Sequence, residues 1–432
     1  QRKHEEMEEK QRQEEDEEEA QEIEAGSWPF TRTCEFLAFS LFSSRWEDRH
    51  GAAVALREIL RYQAECANIF IETFDTTTTS ANLVKVQPGT AEAQMRANFS
   101  WLEDISVRLL CVLALDRFGD FVGDGVVAPV RETAAQALGA SLRDLPTRKV
   151  FDIGEATLTL LKHEKAWEVR HSGLIGLKYV FASIPQGEQV KMDMLAQKLL
   201  PSALPRLILA LKDDDDDVRA AAAEAALPAR ESLNPQLLRM KKEDNIESDD
   251  DGNLFKVFLE TLWNALLELD DLSPSARPIM SLLAKLCEKK ETRDMFNVAE
   301  VAPRLWPFAA HPIASVREAT WQTVSELSGT LLENEAFVDV HLADYMTLAL
   351  QGCALDEDDN ASLAAKKAFL LVLELSGFDV GSSSSSSGSK NVALEAVKNT
   401  HKIIRLKVAE IFKVKSDAFL KVLSVQVNRT CD

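Results

Sequence analysis

The stretch Trp46–Leu60, WEDRHGAAVALREIL, is echoed by Trp167–Ala182, WEVRHSGLIGLKYVFA, which begins 121 residues further on. Both open with Trp-Glu-x-Arg-His, pass through small residues and continue as an apolar helical run. An arginine also heads APVRETAAQAL, DDDDVRAAAAEAA and ASVREAT, so the recurring set is Arg49, Arg131, Arg170, Arg219 and Arg317. The intervals between them are 82, 39, 49 and 98 residues. One unit of about 40 to 49 residues accounts for all four if each long interval spans two units, and that period belongs to the HEAT and armadillo class of helical repeats. On this count the two Trp-Glu-x-Arg-His stretches open equivalent helices three repeats apart.

Local physics agrees. Ala52, Leu56, Ile59 and Leu60 fall on one helical stripe, which has to be buried. Glu47 and Asp48 stand in the first turn, where carboxylates complement the positive end of the helix dipole. Gly51, Ala52 and Ala53 are small enough to admit a close neighbour. A preceding helix completes each unit, for example Phe30–Phe42 before Arg49 and Trp101–Gly119 in a later unit. One pair cannot bury its own stripe, so pairs stack. The expected fold is all-α, a HEAT/armadillo-type α-solenoid of stacked antiparallel helix pairs over residues 27–378.

Interruptions punctuate the array. Residues 1–26 are acidic, with 12 acidic and 4 basic residues in the first 25, and have too little apolar surface to pack. They read as a solvated helix or a disordered linker. Insertions are expected near 71–100 and 232–252. A Ser/Gly-rich linker at 379–391 leads to a terminal helical segment at 392–432.

With 70 acidic against 49 basic residues, the net charge is −21. Binding to a phosphate backbone draws on Lys and Arg, so direct nucleic-acid contact is not expected and a basic partner is. No run of 18 apolar residues occurs, so no membrane association is expected. The six cysteines lie far apart, without C-x-x-C or zinc-ligand spacing, and read as reduced, mainly buried side chains.

No catalytic or metal motif is present. Gly381, Gly388 and Lys390 lack the spacing and the preceding strand of a phosphate loop. His50 and His171 recur at equivalent positions, which points to packing. Asp213 to Asp217 lack the ligand spacing of an EF-hand and read as an acidic turn before a helix. Neither an enzyme activity, nor a cofactor, nor a small-molecule substrate is expected of this segment.

Four blocks carry the argument further: Leu102–Gly139, Trp167–Tyr179, Leu262–Cys287 and Arg304–Ala319. Together they resemble the N-terminal HEAT-repeat region of the TATA-binding-protein-associated Swi/Snf-type ATPases, the modifier-of-transcription family. ALDRFGDFV with VVAPVRET is the most specific part, and the resemblance runs from about Trp28 to about residue 330. It implies a nuclear scaffold that grips the TATA-binding protein, while a C-terminal ATPase, whose motifs these residues lack, strips that factor from the promoter. It also implies further repeats and a latch ahead of Trp28. The alternative is a generic HEAT-repeat interaction scaffold without affinity for that factor.

Partners of such arrays commonly lie across the turns between helices. The candidate contacts are therefore Trp46, Glu47 and Asp48; Arg117, Phe118 and Asp120; Trp167 and Glu168; Asp213, Asp214, Asp215 and Asp216; and Asp270 and Asp271. Acidic turns favour encounter with a basic partner, and exposed aromatic residues serve as anchors.

Overall fold

A computed structural model describes residues 27–69, 88–122, 125–185, 187–233, 253–267 and 275–375, together with positions 10, 17, 18 and 20. The chain divides into two compact units between Arg206 and Leu207.

The first unit contains α1 (Thr31–Ser40), α2 (Trp46–Gln63), α3 (Pro88–Leu115), α4 (Pro129–Leu142), α5 (Thr147–Leu160), α6 (Trp167–Ala182) and α7 (Gln189–Met194). A π-turn at Leu195–Leu199 then leads into α8 (Leu200–Ala210), within which the division falls. Helices α2, α4 and α6 pack side by side as one layer, and α1, α3 and α5 back onto them as the second. Leu56, Leu60, Leu138 and Leu177 on the first layer are fully buried.

This packing corrects the repeat count. Helix α4 lies directly against both α2 and α6, so Trp46 and Trp167 open helices two steps apart, not three. The 82-residue interval is a single step lengthened by insertion. The insertion is also shorter than 71–100, because residues 88–100 form the first turns of α3. A two-stranded antiparallel hairpin, β1 (Asp120–Val122) with β2 (Gly125–Val127), adds a second interruption and pairs Phe121 with Val126. Gly51 has open space around it, so the close approach falls to Ala52 and Ala53 alone.

The second unit contains α9 (Asp216–Ala226), α10 (Leu254–Ala265), α11 (Ala276–Cys287), the short α12 (Lys290–Arg293) and α13 (Val298–Val301), a 3-10 segment at Ala302–Ala310, α14 (Ala314–Glu333), α15 (Glu335–Val340), α16 (Leu342–Leu355) and α17 (Asp359–Leu375). Its inner layer runs α9, α11, α14, α17, and the 3-10 segment and α16 pack outside. The 98-residue interval from Arg219 to Arg317 therefore does span two steps. Both units have the stacked helix-pair construction of an α-solenoid.

The recurring arginine has a structural explanation. Arg49 donates from Nη1 to the carbonyls of Ser43 and Ser44, Arg170 to those of His163 and Glu164, and Arg317 to those of His311 and Pro312. Arg219 reaches Asp213 in the same way, and Arg293 reaches Cys287 and Glu288. In these five turns a guanidinium thus satisfies carbonyls that a helix end cannot satisfy by itself, whereas Arg131, also of the recurring set, reaches the Phe118 and Glu168 carbonyls instead.

Of the cysteines, Cys34 and Cys287 are buried, and burial pushes both thiols up to about 12. Cys66 and Cys111 are exposed, contrary to the expectation of burial. Among the described residues no helix is long and apolar enough to cross a membrane.

Candidate partner-binding ridges

In the first unit, the turns that precede α2, α4 and α6 form a connected ridge. Arg49 donates from Nε and Nη2 to Asp116 Oδ1, at 3.0 and 2.5 Å. Asp116, only 4% exposed, also accepts the backbone N–H of Phe118 at 3.2 Å. This fixes Phe118 where its ring stacks on Trp46, with centroids 4.4 Å apart and planes 5° from parallel.

The fully buried Arg131 continues the connection. It reaches the Phe118 carbonyl at 3.5 Å and the Glu168 carbonyl at 3.1 Å, and its guanidinium lies 5.6 Å from the Trp167 ring centre. Each tryptophan also packs on the histidine one turn later, at 6.3 Å for Trp46 with His50 and 5.9 Å for Trp167 with His171. The two histidines are packing residues, as their recurrence suggested. His50 Nδ1 lies 3.2 Å from both the Pro129 carbonyl and Thr133 Oγ1. His171 is buried, and burial, reinforced by the Arg131 charge, pulls its pKa down to about 3.

Trp46, Phe118, Trp167 and Glu168 are therefore half-buried within the array, while Glu47, Asp48 and Arg117 are exposed beside them. Asp48 accepts from Ser43 Oγ at 2.9 Å, and Arg117 donates to the Ala114 and Asp116 carbonyls. Asp120 begins β1, and its side chain lies outside the described ones.

In the second unit the Asp213–Asp217 turn holds α9. Asp215 is its N-cap and accepts the N–H groups of Asp217 and Val218, Asp213 accepts the Asp215 N–H, and Asp216 pairs with Arg219. Asp214 alone among the four candidates is exposed. Asp270 and Asp271 lie outside the described residues.

A further acidic turn, Asp356–Asp359, was not anticipated. Asp358 Oδ1 accepts the N–H groups of Asn360 and Ala361 at the start of α17, and Asp356 accepts both Arg317 Nε at 2.7 Å and Arg317 Nη2 at 2.6 Å. Glu357 and Asp359 are exposed. Four consecutive acids before an apolar helix were the available signal, since Asp is a favoured N-cap. Among the described residues no group of three His, Cys, Asp or Glu side chains is arranged to hold a metal ion.

No protein-family model matches the chain. Over 337 residues, 77% of its length, it is 39% identical to TATA-binding protein-associated factor 172 of Homo sapiens. Over 319 residues, 69% of its length, it is 33% identical to TATA-binding protein-associated factor MOT1 of Saccharomyces cerevisiae. The chain belongs to this TATA-binding protein-associated factor family. It spans 16% of the human factor and 15% of the yeast one. Among solved structures it is similar to the Mot1 N-terminal domain in complex with TBP, at 17% identity, with 87% of this chain and 42% of that one covered and a TM-score of 0.46. Within this TATA-binding protein-associated factor segment, the ridge residues of the first unit come from turns far apart in sequence.

Proposed function

We propose that this segment is a HEAT-repeat scaffold that binds the TATA-binding protein, as part of an ATP-dependent remover of that factor from promoter DNA. The catalytic work belongs to another part of the protein, and the site of action is the nucleus. The observation that carries this reading is the 39% identity to the human TATA-binding protein-associated factor across 77% of the chain. The surface chemistry supports it: the net charge is −21, and the exposed ends of the ridges carry Glu47, Asp48 and Asp214. A basic, DNA-binding partner is drawn to such turns before any close contact forms.

The test is a titration of the whole chain against purified TATA-binding protein, with and without TATA DNA, at two salt concentrations. Glu47→Lys combined with Asp214→Lys alters exposed charges without touching the residues that cap α9 or clamp its turn. Association is expected to weaken about tenfold at low salt and to lose part of its salt dependence. A folded wild-type chain that does not bind would overturn the reading in favour of a generic scaffold. Binding that ignores the charge reversal would remove these turns from the contact surface.

A further inference from the structure

The second unit has an open cleft of about 710 Å³ along its inner helical layer. Its apolar lining includes Leu227, Ala284 and Leu363, and its carboxylates are Glu288, Glu318 and Glu326. Leu363 is 64% exposed, which is unusual for a leucine at the face of a packed helix layer. Lys285 and Lys367 also line the cleft. Lys285 is paired with Glu288 at 2.5 Å, whereas Glu318 Oε1 accepts from the neutral Gln322 amide at 3.0 Å. Helix α17 forms one wall, and Leu375 at its end is the last described residue.

We propose that this cleft is the docking site for the chain's own C-terminal segment, residues 392–432. Three observations support that occupant over an unrelated one. The segment is basic within an acidic chain, with eight Lys and Arg against four Asp and Glu. Read at helical spacing, Val397, Ile404, Val408 and Ile411 fall on one stripe, and Lys398, Lys402 and Arg405 fall along its flank. An apolar stripe with a basic flank matches the apolar lining beside Glu318 and Glu326, the usual form of helix-in-groove recognition.

The third observation is the tether. The sixteen residues 376–391 are rich in Ser and Gly and follow α17, whose first half lines the cleft. A Ser/Gly-rich coil of sixteen residues has a root-mean-square reach of about 20 to 24 Å, a span that corresponds to an effective concentration on the order of millimolar at the cleft. Millimolar local concentration allows even a weak contact to be occupied most of the time.

The experiment uses the whole chain at low concentration. A zero-length carbodiimide, which joins carboxylates to lysines, is applied to a mixture of isotopically light and heavy protein, and thermolysin digestion follows the rate of cleavage within 392–432. Cross-links from Lys398 or Lys402 to Glu318 or Glu326 are expected within light–light and heavy–heavy pairs. Glu318→Lys with Glu326→Lys should raise the cleavage rate about tenfold, and adding Lys398→Glu with Lys402→Glu should restore protection. Circular dichroism establishes that each variant stays folded, and the double reversal serves as the internal control. Light–heavy cross-links would assign the cleft to a second copy and overturn the proposal. So would equal cleavage rates in wild type and in the folded cleft variant. Neither result depends on binding to the TATA-binding protein, so this proposal and the functional reading fail separately.

Discussion

Arg317 and Asp356, 39 residues apart, form a two-point ion pair in which Nε and Nη2 each meet a separate carboxylate oxygen at 2.7 and 2.6 Å. The carboxylate is 3% exposed and the guanidinium 16%. The same arginine holds the His311 and Pro312 carbonyls, so one side chain ties the turn before α14 to the turn before α17.

Removing the carboxylate leaves a largely buried cation without its partner, which is expected to destabilise the second unit by about 3 kcal/mol. Asp356→Ala should show this as an earlier denaturation midpoint with an unchanged slope. The Arg317 hydrogen bonds hold the Asp356 carboxyl below the ordinary carboxylate range. Its unfolded form therefore takes up a proton first. The stabilisation is fully present above the unfolded carboxylate pKa of about 4 and is lost as pH falls through the folded value. Wild type should lose more stability than Asp356→Ala between pH 5 and pH 3. Equal losses would show that the pair does not contribute to acid sensitivity.

His171 gives a second acid limb at higher pH. Its folded pKa is drawn down to about 3 from 6.5 by burial and then by the Arg131 charge. Below pH 6.5 the unfolded chain binds the proton and the folded one does not, so stability is complete above 6.5 and falls with pH. At pH 5 the loss is about 2 kcal/mol relative to pH 7. Replacing His171 with Leu should flatten urea-denaturation stability of the first unit between pH 7 and pH 5. An unchanged pH slope in that variant would refute the assignment.

Two helical glycines should respond in opposite directions to alanine. A Cβ on Gly173 would stand 2.4 Å from Leu161 Cδ1 and 2.9 Å from Leu160 Cβ, and the second atom has little freedom to move. Gly173→Ala is expected to cost about 1 to 3 kcal/mol through overpacking. Gly329, within α14, has nothing within 4 Å of a new Cβ. Gly329→Ala should stabilise by about 0.5 to 1 kcal/mol through helix propensity and reduced unfolded-state freedom. Thermal melts of the two variants provide the comparison, and a shift in the same direction for both would contradict the packing described here.

Much of the candidate site could be read one residue at a time, and the remainder could not. Trp46 and Trp167 stand out because they recur, yet their half-buried state comes from Phe118 and Arg131, which reach them from neighbouring turns. Asp213 to Asp216 look alike in sequence. In the fold Asp215 caps a helix, Asp216 pairs with Arg219, Asp213 holds the turn and Asp214 is left to solvent. Composition signals an acidic edge, but geometry separates the carboxylates that hold the turn from those that face outward.

The sequence by itself determined the repeat class, the apolar stripes and the position of the arginine that closes each turn, because these depend on contacts within about ten residues. The tertiary structure decided how many repeats separate the two Trp-Glu-x-Arg-His stretches and which acidic residue receives Arg49 and which Arg317. Loop-closure entropy grows only slowly with loop length. An insertion can therefore lengthen the interval between α2 and α4 while leaving them in direct contact, and distance along the chain does not count the layers. Arg49 meets Asp116 across 67 residues and Arg317 meets Asp356 across 39, the same pairing at two different separations, which only packing brings about.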